Sequence, residues 1–112
     1  MQGYQVTFFT QQDRRHGHQP LHEWLMELAK SQGIAGSTVT FGAEGIGRSG
    51  KLHSARFFEL ADQPVEITMV VAQDQVAPLF DRLDAEVDEL FYVKTPVEYG
   101  SLGTARARDA SA

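Results

Sequence analysis

Between residues 42 and 54 the chain gathers what an anion receptor needs: Gly42, Gly45, Gly47 and Gly50, the cations Arg48 and Lys51, and His53 close behind. Glycines let backbone N–H groups approach an anion closely, and the two cations supply charge. A second basic group, Arg14, Arg15 and His16, lies upstream. Guanidinium groups hold carboxylate and phosphate oxygens through charge-assisted hydrogen bonds, so one or two phosphates need only a few donors. The candidate ligand-binding residues are therefore Gly45, Gly47, Arg48, Lys51 and His53, completed by Arg14, Arg15 and His16 from the same or a neighbouring subunit. Gly45-Ile46-Gly47-Arg48 is not a dinucleotide fingerprint, because the spacing differs and no helix follows.

The four histidines His16, His18, His22 and His53 open a second chemistry, since neutral imidazole is the commonest metal ligand. A metal-binding protein using them is the alternative reading. The chain has no cysteine, which removes disulfides, thiolate zinc sites and cysteine nucleophiles together, and no H-E-x-x-H framework occurs. No G-x-S-x-G surrounds any serine. Asp81, Asp84, Glu86, Asp88 and Glu89 spread at helical spacing along a solvated flank and pair no acid with a base. The expectation is a non-enzymatic protein with no resident cofactor, its ligand a small anionic effector.

Charge narrows the partners. The net charge is −5, but residues 1–58 carry +2 and residues 59–98 carry −8. Nucleic-acid binding needs a basic face that neutralises several phosphates, and only short basic clusters exist here, so no nucleic-acid role is expected. No apolar run is longer than four residues, as at 69–72, so no membrane insertion is expected. Met1-Gln2-Gly3-Tyr4-Gln5 shows neither a positive n-region nor an apolar h-region, which makes a cytoplasmic protein the expectation.

The elements that must position these residues follow from periodicity. Residues 4–10 alternate and are rich in β-branched and aromatic types, which predicts a strand, and 11–19 form a polar loop. Pro20 suits the first turn of a helix whose stripe is Leu21, Trp24, Leu25 and Leu28, ended by a left-handed Gly33. Residues 37–41 form a second strand. Residues 42–50, with four glycines in nine positions, predict an exposed, mobile loop, and 55–60 a returning strand. Residues 65–71 read as an interior strand. Asp74 is the candidate N-cap of a second helix with the stripe Val76, Leu79, Phe80, Leu83 and Val87. A last strand over 90–94 meets Pro96, which favours an edge. Residues 1–99 form one domain, and 100–112 a frayed, flexible C-terminal tail.

This order gives two right-handed βαβ crossovers: an α+β, ferredoxin-like βαββαβ sandwich with an antiparallel sheet and two helices on one face. The uncovered face carries Phe9, Val70 and Tyr92, too apolar to leave wet, so sheet-face association into an oligomer is expected.

The stretch Gly33-Ile34-Ala35-Gly36-Ser37-Thr38-Val39-Thr40 followed by Gly45-Ile46-Gly47-Arg48 resembles the PII superfamily of trimeric signalling proteins. A narrower resemblance rests on His16-Gly17, Pro20-Leu21, Gly33, Gly36-Ser37-Thr38-Val39, Gly42, Glu44-Gly45-Ile46-Gly47, His53-Ser54-Ala55-Arg56 and Pro64-Val65. These residues are similar to a PII-like family of small bacterial proteins known as a domain of unknown function, sometimes encoded beside fluoride channels. The resemblance implies a homotrimer that binds an adenine nucleotide or another small anion in inter-subunit clefts. It implies that Gly45, Gly47 and Arg48 belong to the base of a T-loop that signals to a regulated protein partner, a membrane transporter or channel among the candidates. Where PII proteins carry a glycine- and lysine-rich phosphate loop, this chain has Asp84-Ala85-Glu86-Val87-Asp88-Glu89, which repels a triphosphate and favours a ligand with less phosphate.

Overall fold

The computed structural model describes residues 1–42, 44–46, 52–54 and 63–103, the two short stretches through their backbone alone. Strand β1 (Gln2–Gln11) alternates as its sequence dictates, burying Val6 and Phe8. Two short strands follow, β2 (Arg15–His16) and β3 (Gln19–Pro20), where a polar loop was expected. They pair Arg15 with Pro20 and His16 with Gln19 across a two-residue turn opened by Gly17 at φ 63, the glycine-first geometry of a type II′ hairpin.

Helix α1 (Leu21–Ser31) turns Leu21, Trp24, Leu25 and Leu28 inward, as the stripe predicts. Pro20 lies one residue outside its first turn, at the N-cap, and the Leu21 N–H donates to Arg14 O at 2.8 Å. The helix ends as expected at Gly33, φ 71, with Ile34 N–H on Ala29 O at 2.9 Å and Gly33 N–H on Lys30 O at 3.1 Å. This is a Schellman motif, and its following apolar residue, Ile34, is buried.

Strand β4 (Gly36–Phe41) leads into a hairpin of β5 (Glu44–Ile46) and β6 (Leu52–Ser54). Glycine content therefore does not exclude a ladder at 44–46, which pairs with 52–54; the returning strand expected over 55–60 falls outside the described residues. Strand β7 (Pro64–Ala72) buries Val65, Ile67, Met69 and Val71, each at most 1% exposed. A 3-10 turn (Gln73–Gln75) then enters helix α2 (Val76–Glu86), and strand β8 (Phe91–Glu98) closes the fold.

The sheet order is β4-β7-β1-β8 with every neighbouring pair antiparallel, and β7 is interior as expected. Leu21, Leu25, Leu28, Leu79 and Leu83 join one buried cluster with Val6, Phe8, Ile67 and Met69, so both helices cover the same face. This is the ferredoxin-like α+β sandwich that the element order predicts. Pro96 is accommodated inside β8 because β8 is an edge of this sheet.

Two sequence expectations are corrected, the first by register and the second by capping. Tyr92 is the partner of Phe8 and packs edge-on against Phe80 at 4.9 Å, so it belongs to the helix-covered face. Phe91, the partner of Phe9, takes its place on the bare face. Asp74 is exposed and does not cap α2. The neighbouring Gln75 does the joining instead: its amide accepts from Ala72 N–H at 3.0 Å and donates to Gln32 O and Gly33 O at 3.3 and 3.1 Å.

Candidate functional site

The β2–β3 and β5–β6 hairpins emerge from one end of the sheet. Gly42 N–H donates to Pro64 O at 2.8 Å where β4 gives way to the β5–β6 hairpin. Gln12 N–H donates to Gln63 O at 2.9 Å where β1 gives way to the β2–β3 hairpin. Arg14 N–H closes the next turn on Gln11 O at 3.2 Å. His22, in the first turn of α1, is buried and meets Phe41 edge-on at 5.6 Å, holding the helix start over the end of β4.

Within the β5–β6 hairpin Gly45 and His53 are direct cross-strand partners. Gly47, Arg48 and Lys51 lie outside the described residues. Arg14, Arg15 and His16 are placed together on or beside the other hairpin. Arg14 donates to the backbone carbonyl of Glu89, in the turn between α2 and β8, and Arg15 donates to the carbonyl of His18. His16 stacks on Trp24 with ring centroids 4.0 Å apart and planes 24° apart, and its Nε2 lies 3.6 Å from Glu86 Oε1. Glu86 also pairs with Arg82 one turn earlier on α2.

The acidic stretch at the C-terminal end of α2 is thus answered in part by the fold itself. Arg82 and His16 face Glu86, and Arg14 occupies the Glu89 carbonyl. The repulsion that a phosphate meets there is accordingly smaller than the bare sequence implies.

Of the described histidines, His16 packs on Trp24 and His22 against Phe41, while His18 is exposed. Among the described residues no group of three or more His, Cys, Asp and Glu side chains is placed to hold a metal ion.

A feature missed in the sequence lies at the opposite end of β4. Met26, Glu27 and Lys30 of α1 and Ile34, Ala35, Gly36 and Ser37 line an open cleft of about 390 Å³. Ser37 Oγ is buried there without a hydrogen-bond partner. The small residues Ala35 and Gly36 were its only sequence signal, and small residues signal turns equally well.

With this geometry in place, the fold matches solved PII-like proteins. One is CPII, a nitrogen regulatory PII-like protein from Thiomonas intermedia K12 bound to ADP, AMP and bicarbonate, with TM-score 0.66, 16% identity, and 90% of this chain and 91% of that chain covered. Another is a PII-like signaling protein from Thermus thermophilus, with TM-score 0.66, 18% identity and coverage of 94% and 95%. The periplasmic divalent cation tolerance protein CutA from Archaeoglobus fulgidus matches with TM-score 0.56, 11% identity and coverage of 99% and 98%. At these identities the likeness is one of fold. In sequence, a UPF0166 protein of Aquifex aeolicus is 24% identical over 79 residues, 70% of this chain and 75% of that protein. The chain belongs to the family DUF190 (Uncharacterized ACR), whose profile matches residues 3–99. The PII-like resemblance read from the glycine and histidine pattern agrees with both comparisons. No described helix is long and apolar enough to cross a membrane.

Proposed function

We propose that this protein is a non-enzymatic, PII-like regulator. It binds a small anionic effector, an adenine nucleotide with fewer than three phosphates being the first candidate, and reports the bound state through residues 42–54 to a partner protein. Gly45, Gly47, Arg48, Lys51 and His53 form one side of the site, and Arg14, Arg15 and His16 the other. Three copies associate through the bare face of the sheet, and the effector sits in the clefts between them. A transporter or channel is the partner class we assign.

The observation that carries this reading is the emergence of both hairpins from a single end of the sheet, tied there by Gln12 to Gln63 and Gly42 to Pro64. Binding of ADP, AMP and bicarbonate by a protein of the same fold supports the ligand class. The signalling mechanism follows from composition. Fixing a backbone costs about 1–2 kcal/mol per residue, and four glycines in nine positions raise that cost, so ligand contacts at Arg48 and Lys51 offset the ordering of the segment that carries them.

A thermal-shift screen of the purified protein against ADP, AMP, bicarbonate, fluoride and divalent metals tests the reading. A nucleotide that raises the melting temperature in a saturable way supports it. A response to divalent metals alone transfers the histidines to the metal-binding alternative.

A further inference from the structure

The β2–β3 hairpin does more than connect β1 to α1. It is laid across the helical layer and fastened at both sides. On the α1 side, His16 stacks on Trp24, and Gln19 Nε2 donates to Glu27 Oε2 at 3.1 Å. On the α2 side, His16 Nε2 faces the half-buried Glu86 carboxylate at 3.6 Å, and the Arg14 guanidinium holds the Glu89 carbonyl.

These fastenings are unequal in kind. The guanidinium is charged in both cases, but a carbonyl is a neutral acceptor, whereas a phosphate adds a full opposite charge and takes the guanidinium fork through two parallel bonds. Arg14 therefore rests on an acceptor that a phosphate-bearing ligand outbids. Arg15, on the His18 carbonyl, rests on another of the same kind.

We infer that the β2–β3 hairpin is an anion-released strap. A phosphate-bearing ligand takes Arg14 from the Glu89 carbonyl, and the hairpin then parts from the end of α2, with His16 leaving both Glu86 and Trp24. Ligand and strap compete for the same cation, so whatever loosens the strap tightens the ligand. This inference rests on the reading above that Arg14 meets the effector. On binding, the β2–β3 hairpin changes partners, and Glu86, Glu89 and Trp24 are its regulatory contacts.

The chain holds a single tryptophan, and it is the one beneath the strap, so its emission reports the state of the hairpin. ADP is titrated into the full-length protein, with heat and Trp24 emission followed in parallel. The expected result is a saturable emission change whose midpoint coincides with the calorimetric one. Glu86→Gln replaces the carboxylate that His16 Nε2 faces with a neutral amide. Its ligand-free emission is expected to move toward that of the liganded wild type, and its ADP dissociation constant to fall about 2–5-fold, because less of the protein starts in the fastened state.

Loss of the Glu86 charge also eases repulsion of the phosphate, so a merely structural hairpin is marked by ligand-free emission of Glu86→Gln that stays at the ligand-free wild-type value, and that result overturns the strap. ADP binding with Trp24 emission unmoved overturns the strap and leaves the effector reading standing. No ADP binding overturns both. If Glu86→Gln fails to fold, the wild-type titration decides alone.

Discussion

Phe9 and Phe91 face each other across the β1–β8 ladder with ring centroids 5.6 Å apart, on the side of the sheet away from both helices. Phe91 is 45% exposed and Val93, on the same face, 48%. Further in, that face turns polar: the Thr7 and Thr68 hydroxyls share a hydrogen bond of 3.0 Å. Its apolar character is thus concentrated toward β8. If copies of the chain bury this face, Phe91→Asp places a charge in the seam at a cost of several kcal/mol. Light scattering of the variant is expected to give the mass of one subunit where the wild type gives three, with the far-ultraviolet circular dichroism kept. A three-subunit mass for the variant contradicts that placement of the seam.

Gly3 is packed under backbone. A Cβ built there lies 2.3 Å from Val71 O and 2.9 Å from Tyr99 Cε1. The carbonyl belongs to the ladder between β1 and β7 and yields only by moving a strand. Gly3→Ala is expected to lower stability by about 1–3 kcal/mol, read as a drop in melting temperature. Gly36→Ala, which meets nothing within 4 Å, is the matched control and should stay near wild type.

Gln75 spans three elements with one amide: the end of β7, the C-cap of α1 and the start of α2. Gln75→Ala removes those bonds and is expected to cost about 1–2 kcal/mol in urea unfolding. Gln75→Glu is expected to cost more, because it aims a carboxylate at two carbonyl oxygens. Equal stability of the two variants would show that the donated bonds to Gln32 and Gly33 carry no weight.

How far the sequence reaches is set by how local each cause is. Leu21, Trp24, Leu25 and Leu28 reveal α1 because a helix repeats within a few residues, and Gly33 reveals its end because the left-handed cap is a property of one residue. Tyr92 and Phe91 exchange faces because a strand's phase is fixed by its partner, and a one-residue offset inverts both. Asp74 had the right chemistry for a cap, but Gln75 has the reach to meet carbonyls 42 and 43 positions away in sequence. Strands of two residues, as in the β2–β3 hairpin, are too short to show a period. For the site, topology brings the bases of the β2–β3 and β5–β6 hairpins to one end of the sheet, a long-range pairing that no local residue pattern shows. The partners of Arg14 and His16 were invisible in advance, because Glu86 and Glu89 lie some 70 positions further on.

The proposed function requires a small anion held at the end of the sheet from which both hairpins rise. Calorimetric titration of ADP into the wild type and into the Arg48→Ala/Lys51→Ala double variant tests it most directly. The predicted result is saturable binding by the wild type that weakens at least about tenfold in the variant, since each lost charge-assisted contact is worth about 1.5–3 kcal/mol. Equal affinity in the two proteins would contradict the account.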